Sequence, residues 1–537
     1  MADVRRSSRI VTGLGIVLPV LIAMAIWPAF AAPPQKNRKP PKLPDLKTPE
    51  SKLAYIQMIR NEFPAMRRST SFTPEDLDKQ LEQSVAKGTD TKFVDVVDDE
   101  TFLRRVSVDL TGLVPDRDQI KKFVADKGAK KREQLIDQLL ETGAYSRKWA
   151  RYWSSVVFFE TAANRNSINP QSFEDWLASE FAANRSWDLI VAQMLSAAPQ
   201  RHSERKPQDN GWEQDHGPNN FILACERKPE VIASQTARLF MGISIGCAEC
   251  HDHPFDQWKR EQFHEMAAFF APNKYYMTDQ YDPAEKSEMQ ARFLLGEKPP
   301  EYLKGDHRRV AMAGYLMYNP DNYWFARAYV NRIWNELVGD GFYSVDSLGP
   351  DKEVTHVLVV NRLASAFRQQ GFDVKWLFRM ILNTRTYQRQ IRTLDEEADL
   401  FTAVRPARLR PYEVADNLER LVGENGGMRK AIESAFEQNP SVPQRDLEGT
   451  MQQALLMMNN SQLHSKLAAS SLAKDLSQMK SDEDLIREAF LGVLARTPTF
   501  LETARYKQYL QQSQNRQESV EDLLWVLVNS AEFVAKR

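Results

Sequence analysis

The sequence predicts a mainly α-helical protein, with two helical domains and long polar loops after a signal peptide and a Pro-rich spacer. Helical periodicity with capping residues recurs along most of the chain, whereas strand-like alternation is rare. The breaks between helical segments are short and contain Gly, Pro or Asn, as helix-to-helix turns do. A chain of 537 residues is also too long for one hydrophobic core.

The composition excludes two classes of protein. Lys and Arg number 71 and Asp and Glu 72, so the net charge of -1 gives no field that would hold a nucleic acid. Three cysteines, Cys225, Cys247 and Cys250, are too few for a disulfide framework in a chain of this length. We therefore expect soluble globular domains, with the cysteines serving another purpose.

The N-terminus has the pattern of an export signal. Arginines 5, 6 and 9 precede an apolar run over residues 10–26, and Ala29 and Ala31 form a signal-peptidase site. Residues 1–31 are therefore predicted to direct the protein to the periplasm or the cell surface. The alternative is an uncleaved anchor, since the run is close to the length of a membrane span, and membrane contact is expected only through such an anchor.

A Pro/Lys-rich spacer is predicted over residues 32–72, with its prolines concentrated in 32–49. The first helical domain, 73–275, begins where Thr73 caps a helix that has Pro74 in its first position. Residues 197–220 are polar and lack periodicity, which predicts a long loop. The other helices of this domain are predicted over 102–110, 117–125, 131–141, 145–159, 173–184, 187–196, 228–241 and 262–270.

A polar linker, 276–303, is predicted to lead into a second helical domain, 304–537. Its helices are predicted over 322–338, 356–370, 374–382, 412–421, 463–473, 482–494 and 518–533.

The chemistry of the sequence is concentrated in Cys247-Ala-Glu-Cys250-His251. Two thiols three positions apart suit covalent attachment of one haem c through thioether bonds, and the adjacent imidazole suits the proximal iron position. Predicted export agrees with this, because c-type haem is attached outside the cytoplasm. The sequence therefore predicts an exported c-type haem protein for electron transfer or small-ligand redox chemistry, with an unknown redox or envelope partner.

Other interpretations of these residues remain open. Cys247, Cys250, His251 and His253 form a ligand set that zinc accepts, which would suit a metal-dependent hydrolase or carbohydrate-active protein of the envelope. The two cysteines could instead form a disulfide, and the chain could be a non-catalytic surface scaffold. Whether the protein is an enzyme is left undecided by the sequence.

A sixth iron ligand is not specified. By spacing and loop position the candidates are His264, Met266, Met277 and His216, with His202 in the loop before them. If none of them binds, the iron keeps an open position for ligand chemistry.

Several longer runs make the chain resemble a known family. The run 242–270 around the Cys-x-x-Cys-His motif is similar to the signature of the planctomycete-type secreted cytochrome-like family, which pairs an N-terminal cytochrome-like domain with a C-terminal domain of unknown function. Further runs carry the same resemblance, over 103–115, 149–153, 328–334, 339–342, 373–377, 405–413 and 522–533.

The resemblance covers residues 95–535 and implies export and two paired domains. Its cytochrome-like name derives from the same five residues, so it adds no independent support for haem. The segment 154–160 departs from the family's polar run at that place.

Overall fold

The computed structural model describes residues 43–46, 48–61, 70–86, 92–159, 168–197, 212–282, 284–346, 354–392, 401–443 and 446–536. Helices contain 62% of the residues and strands 4%, so the prediction of a mainly α-helical fold is confirmed. The predicted signal peptide, the spacer up to residue 42, and His202 lie outside the described residues. None of the helices in the described ranges has the length and hydropathy to cross a bilayer.

The described residues up to 318 contain twelve α-helices. They are α1 Pro49–Asn61, α2 Pro74–Ala86, α3 Asp99–Thr111, α4 Arg117–Ala125, α5 Lys131–Leu140, α6 Gly143–Phe158, α7 Pro170–Ala182, α8 Trp187–Ser196, α9 Trp212–Ala224, α10 Pro229–Met241, α11 Arg260–Ala267 and α12 Asp306–Tyr318. A 3-10 turn, Gly246–Glu249, lies between α10 and α11, and a hairpin of β1 Tyr275–Thr278 and β2 Lys286–Met289 follows α11.

The rest of the described chain is also helical. Its elements are α13 Trp324–Val338, α14 Val357–Gln369, α15 Val374–Leu382, α16 Arg385–Gln388, β3 Ala407–Arg408, α17 Pro411–Val422, α18 Gly426–Ala435, α19 Met451–Asn459, α20 Ser461–Ala468, α21 Ser471–Ser477, α22 Asp482–Leu494, α23 Phe500–Gln512, α24 Arg516–Val528 and β4 Ala535–Lys536. Strands β3 and β4 pair antiparallel.

Local sequence explains many of the helix ends. Asp98 accepts a hydrogen bond from the Thr101 backbone at the start of α3, and Gly112 ends that helix with a φ of 74°. Asp116 and Gln119 form a reciprocal capping box at the start of α4. Such caps satisfy backbone groups that a helix end leaves without partners.

Two segments predicted to lack regular structure are folded. Residues 49–61, placed in the spacer from the sequence, form α1, where Tyr55 and Ile56 are buried and Arg60 pairs with the buried Asp188 of α8. The predicted linker 276–303 contains most of a β-hairpin, and Met289 and Phe293 within it are buried. Leu53, Ile56 and Ile59 do lie at helical spacing, but the polar residues between them and the neighbouring prolines obscured the pattern. The two strands of the hairpin have four residues each, which is too short to show a clear alternation.

The predicted loop 197–220 is wrong over its last part, because α9 begins at Trp212. Asn219 and Asn220 in this helix are buried, and Asn220 Oδ1 accepts the Asn169 backbone N–H at 2.6 Å. Residues 198–211 lie outside the described ranges. The single helix predicted over 463–473 is two helices, since Ser470 caps a new one by accepting from the Ala473 backbone.

The two predicted helical regions pack together over one continuous hydrophobic cluster. A buried charge network also joins them, and its members are Asp109, Lys148, Glu336, Arg410, Glu413 and Lys536. Lys536 Nζ lies 3.1 Å from Asp109 Oδ1 and 3.0 Å from Glu336 Oε1, which links α3, α13 and the C-terminal strand. Burial opposes ionisation of Glu336, but the charges of Arg410 and Lys536 outweigh it and hold its pKa well below the usual value.

Candidate functional site

The Cys-x-x-Cys-His motif lies on the short connection between α10 and α11. Cys247 is on the 3-10 turn 246–249, here called the motif turn, and Cys250 follows it. Ala248 between them is fully buried and its backbone N–H donates to the Ile245 carbonyl at 2.9 Å, whereas both cysteines are exposed and carry free thiols. The apolar residue thus anchors the turn, and the thiols face solvent.

His251 is exposed and has a defined ring orientation. Its Nδ1 lies 2.7 Å from the backbone carbonyl of Asp252, and because a carbonyl only accepts, Nδ1 is the nitrogen that carries the proton. The Nε2 lone pair is then free to bind a metal. Histidine ligands in metalloproteins commonly have this arrangement, with one nitrogen on the metal and the other donating to a carbonyl.

His253 is held differently. Its Nδ1 accepts the Phe255 backbone N–H at 3.2 Å, so that nitrogen is already engaged. Among the described residues, no group of three or more His, Cys, Asp or Glu side chains is arranged to hold a metal ion. The four-residue zinc set predicted as an alternative therefore gains no support from the arrangement of the motif.

His264, on α11, contacts the motif turn from its buried side. It is only 6% exposed, its Nε2 donates to the Glu249 carbonyl at 2.9 Å, and its Nδ1 lies 2.8 Å from the Tyr275 hydroxyl. Tyr275 in turn donates to Glu230 Oε1 at 2.8 Å. Burial is the main reason that the pKa of His264 is lowered. A buried chain from α10 through β1 and α11 thus ends on the backbone between the two cysteines.

The exposed side of the motif is held by a second set of contacts. Asp252 accepts the Arg260 backbone N–H at 3.0 Å and pairs with Lys259 Nζ at 2.9 Å. The hydrogen bond from Arg260, together with that from Lys259, lowers the pKa of Asp252. Arg260 Nε also donates to the Glu249 carbonyl at 3.2 Å. Burial, and then the nearby Glu230 carboxylate, raises the pKa of Glu249.

The four sixth-ligand candidates lie in different environments. Both ring nitrogens of His264 are hydrogen bonded, Met266 is fully buried, and Met277 is half-buried on β1. The side chain of His216, in α9, lies outside what the structure describes. The structure therefore gives His264 a supporting contact in place of the free nitrogen that a ligand needs.

Three site residues were missed from the sequence. Tyr275 and Glu230 join the motif only through long-range folding, and no local spacing could have indicated them. Phe255, five residues after Cys250 on the connection between α10 and α11, is 79% exposed. An aromatic residue in an otherwise polar run was the one signal that the sequence offered for it.

Two family models match the chain. Residues 76–275 match PSCyt2, described as a protein of unknown function (DUF1549), and residues 308–431 match PSD1, a protein of unknown function (DUF1553). The order of the two agrees with the pairing that the sequence runs suggested. Neither the curated proteins nor the solved structures gave a match. Neither family description states an activity.

Proposed function

We propose that the protein is an exported c-type haem protein. Cys247 and Cys250 would hold the porphyrin through thioether bonds, and His251 would bind the iron through Nε2. The haem would supply one-electron transfer or redox chemistry with a small ligand. The export part of the proposal depends on the signal pattern of residues 1–31.

The orientation of His251 is the observation that carries the proposal. Its Nδ1 proton is directed to the Asp252 carbonyl, 2.7 Å away, so the lone pair for the iron lies on Nε2 without any change of tautomer. Attachment would therefore need no rearrangement of the ring. His253 has the opposite tautomer, since its Nδ1 is an acceptor.

The thiols and their surroundings support the same conclusion. Cys247 and Cys250 are free and exposed, as a covalent attachment step requires, and the buried Ala248 keeps the turn between them fixed to the core. Phe255, on the same connection between α10 and α11, leaves an apolar ring 79% exposed. A bound porphyrin would cover such a surface and gain the free energy of its burial.

The test is covalent haem after expression with residues 1–31 in a host that has haem-attachment machinery. We expect the purified protein to show a Soret band and haem stain that survives denaturing electrophoresis. Replacing both Cys247 and Cys250 with Ala should abolish the stain, whereas Cys225→Ala, a buried cysteine outside the motif, should keep it. A colourless wild-type protein from a host that loads another c-type cytochrome would overturn the proposal, and bound zinc would then favour the metal alternative.

A further inference from the structure

A cleft lies where the two regions matched by family models meet. It has a volume of about 340 Å³ and is formed by the end of α3, by α6 and by α17 and α18. Gly112, Leu113 and Ala144 form part of its wall, together with the side chain of Tyr412. This volume lies within the range of about 300–1,000 Å³ that is usual for small-molecule sites. We call it the seam cleft.

The seam cleft is positively charged. Five Lys or Arg side chains line it against three Asp or Glu side chains. Lys148 belongs to the buried network of three cations and three carboxylates, so the other four cations leave one positive charge in excess. Two of the acids are already neutralised, because Asp416 pairs with Arg151 at 2.7 Å and with Arg429 at 2.5 Å, and Arg429 also binds Glu419. The excess charge therefore belongs to the remaining cations.

Most of this excess positive charge lies on Arg147 and Arg420, on the solvent side of the cleft. Arg147 is exposed on α6, and within the described ranges its guanidinium has no ion pair and no hydrogen bond. Arg420, on α17, donates to the Val114 carbonyl but has no carboxylate partner in the described part of the chain. Burial, only partly offset by the charge of Asp116, lowers the pKa of Arg420.

A third cation lies behind the wall. Lys148 is 3% exposed, and its Nζ donates to the Asp109 carbonyl at 3.0 Å, whereas the nearest carboxylate oxygen, on Glu413, is 3.7 Å away. Its charge is screened little by water, but the carboxylates of Glu413, Glu336 and Asp109 in the same buried network balance it. An anion in the cleft would therefore meet mainly the guanidinium groups of Arg147 and Arg420.

We propose that the seam cleft is a binding site for a small oxyanion, a molecule that carries a phosphate or carboxylate group, with Arg147 and Arg420 as its main donors. The planar guanidinium groups match both kinds of oxyanion through paired N–H donors. Leu113, Ala144 and the Tyr412 side chain provide apolar surface for the rest of the molecule. Arg147 comes from the first matched region and Arg420 from the second, so a bound anion would also link the two.

The proposal is tested by calorimetric titration of the full mature chain at constant ionic strength, with inorganic phosphate in one arm and succinate in the other. We expect saturable binding of at least one of them, with a dissociation constant of about 1 mM or tighter. Arg147→Gln and Arg420→Gln should each weaken it at least about tenfold, and thermal unfolding should shift to higher temperature with the bound anion.

Arg487→Gln is the matched control, because Arg487 is an exposed arginine paired with Asp484 on α22 and should leave binding unchanged. Arg147 has no partner to lose among the residues that the structure describes, so its variant should fold normally and keeps the test decisive if Arg420→Gln does not fold. The proposal is overturned if neither anion binds, or if both arginine variants bind as tightly as the wild type. None of the motif residues takes part, so the outcome does not depend on haem.

Discussion

Replacing His264 with phenylalanine should loosen the motif turn without unfolding the protein. The phenyl ring keeps the packing of the imidazole but removes the hydrogen bond to the Glu249 carbonyl and the polar contact with the Tyr275 hydroxyl. Neither partner is left without a contact, since Arg260 still donates to the Glu249 carbonyl and Tyr275 still donates to Glu230. Because Tyr275 gives its one proton to Glu230, the neutral Nδ1 of His264 gains little from the contact, and the cost is about one net hydrogen bond, about 1 kcal/mol.

Native-state hydrogen exchange on the haem-free protein measures this loss of stability at the motif turn itself. The Ala248 amide, which donates to the Ile245 carbonyl at 2.9 Å within the motif turn, should exchange about fivefold faster in the variant, as about 1 kcal/mol requires. His264→Gln should retain much of the protection, because its amide nitrogen can still donate to the Glu249 carbonyl. Phenylalanine at the exposed His464 is the control and should change nothing at Ala248.

The effect should also depend on pH. The pKa of His264 is lowered by burial from its ordinary 6.5, so the unfolded segment binds a proton more readily than the folded one. The imidazole therefore stabilises the turn above about pH 6.5, and this advantage over phenylalanine shrinks as the pH falls below that value. If the Ala248 amide exchanges at the same rate in the variant as in the wild type, His264 does not stabilise the motif turn. If the spectrum of haem-loaded protein changed instead, His264 would be an iron ligand.

Two further predictions concern stability. Lys536→Met should cost about 3 kcal/mol in thermal unfolding, because it leaves Asp109 and Glu336 buried with one counter-charge fewer, whereas Lys507→Met at an exposed pair should have no measurable effect. Equal melting temperatures for the two variants would contradict the role of the buried network. Hydrogen bonds from Arg496 lower the pKa of Glu502 from 4.5 to about 2, so its contribution is present above pH 4.5 and is lost as the pH falls toward 2. Glu502→Gln should accordingly be less stable than wild type by about 1 kcal/mol at pH 7, since the pair is partly exposed, and the difference should vanish near pH 2; a constant difference over this range would count against it.

Local sequence predicted the helices that carry their own signals. The predicted bounds 117–125, 187–196, 374–382 and 482–494 agree with the structure. Asp116, Asp373 and Ser481 cap three of these helices through their side chains, whereas 187–196 is a nearly continuous apolar run that is buried on almost all sides. The predictions failed at 49–61 and 212–224, where the polar residues that obscure the pattern have partners far away in the chain, as with Asn220 and the Asn169 backbone.

The features of the candidate site also fall into two groups: those that local sequence predicts and those that only the fold establishes. Cys247, Cys250 and His251 could be found from spacing alone, because the chemistry of the motif depends on neighbouring positions. The tautomer of His251 depends on the position of the Asp252 carbonyl, and the support from His264 depends on contacts 15 residues apart along the chain. Spacing made His264 a ligand candidate, but only the fold places both of its nitrogens against other groups.

The intact mass of the protein recovered from the periplasmic or surface fraction shows directly whether haem is attached. We expect one species, with the mass of residues 32–537 plus a single covalently bound haem, and the bare chain mass when both motif cysteines are alanine. The bare mass in the wild-type protein, from cells that attach haem to a control cytochrome, would contradict the proposal.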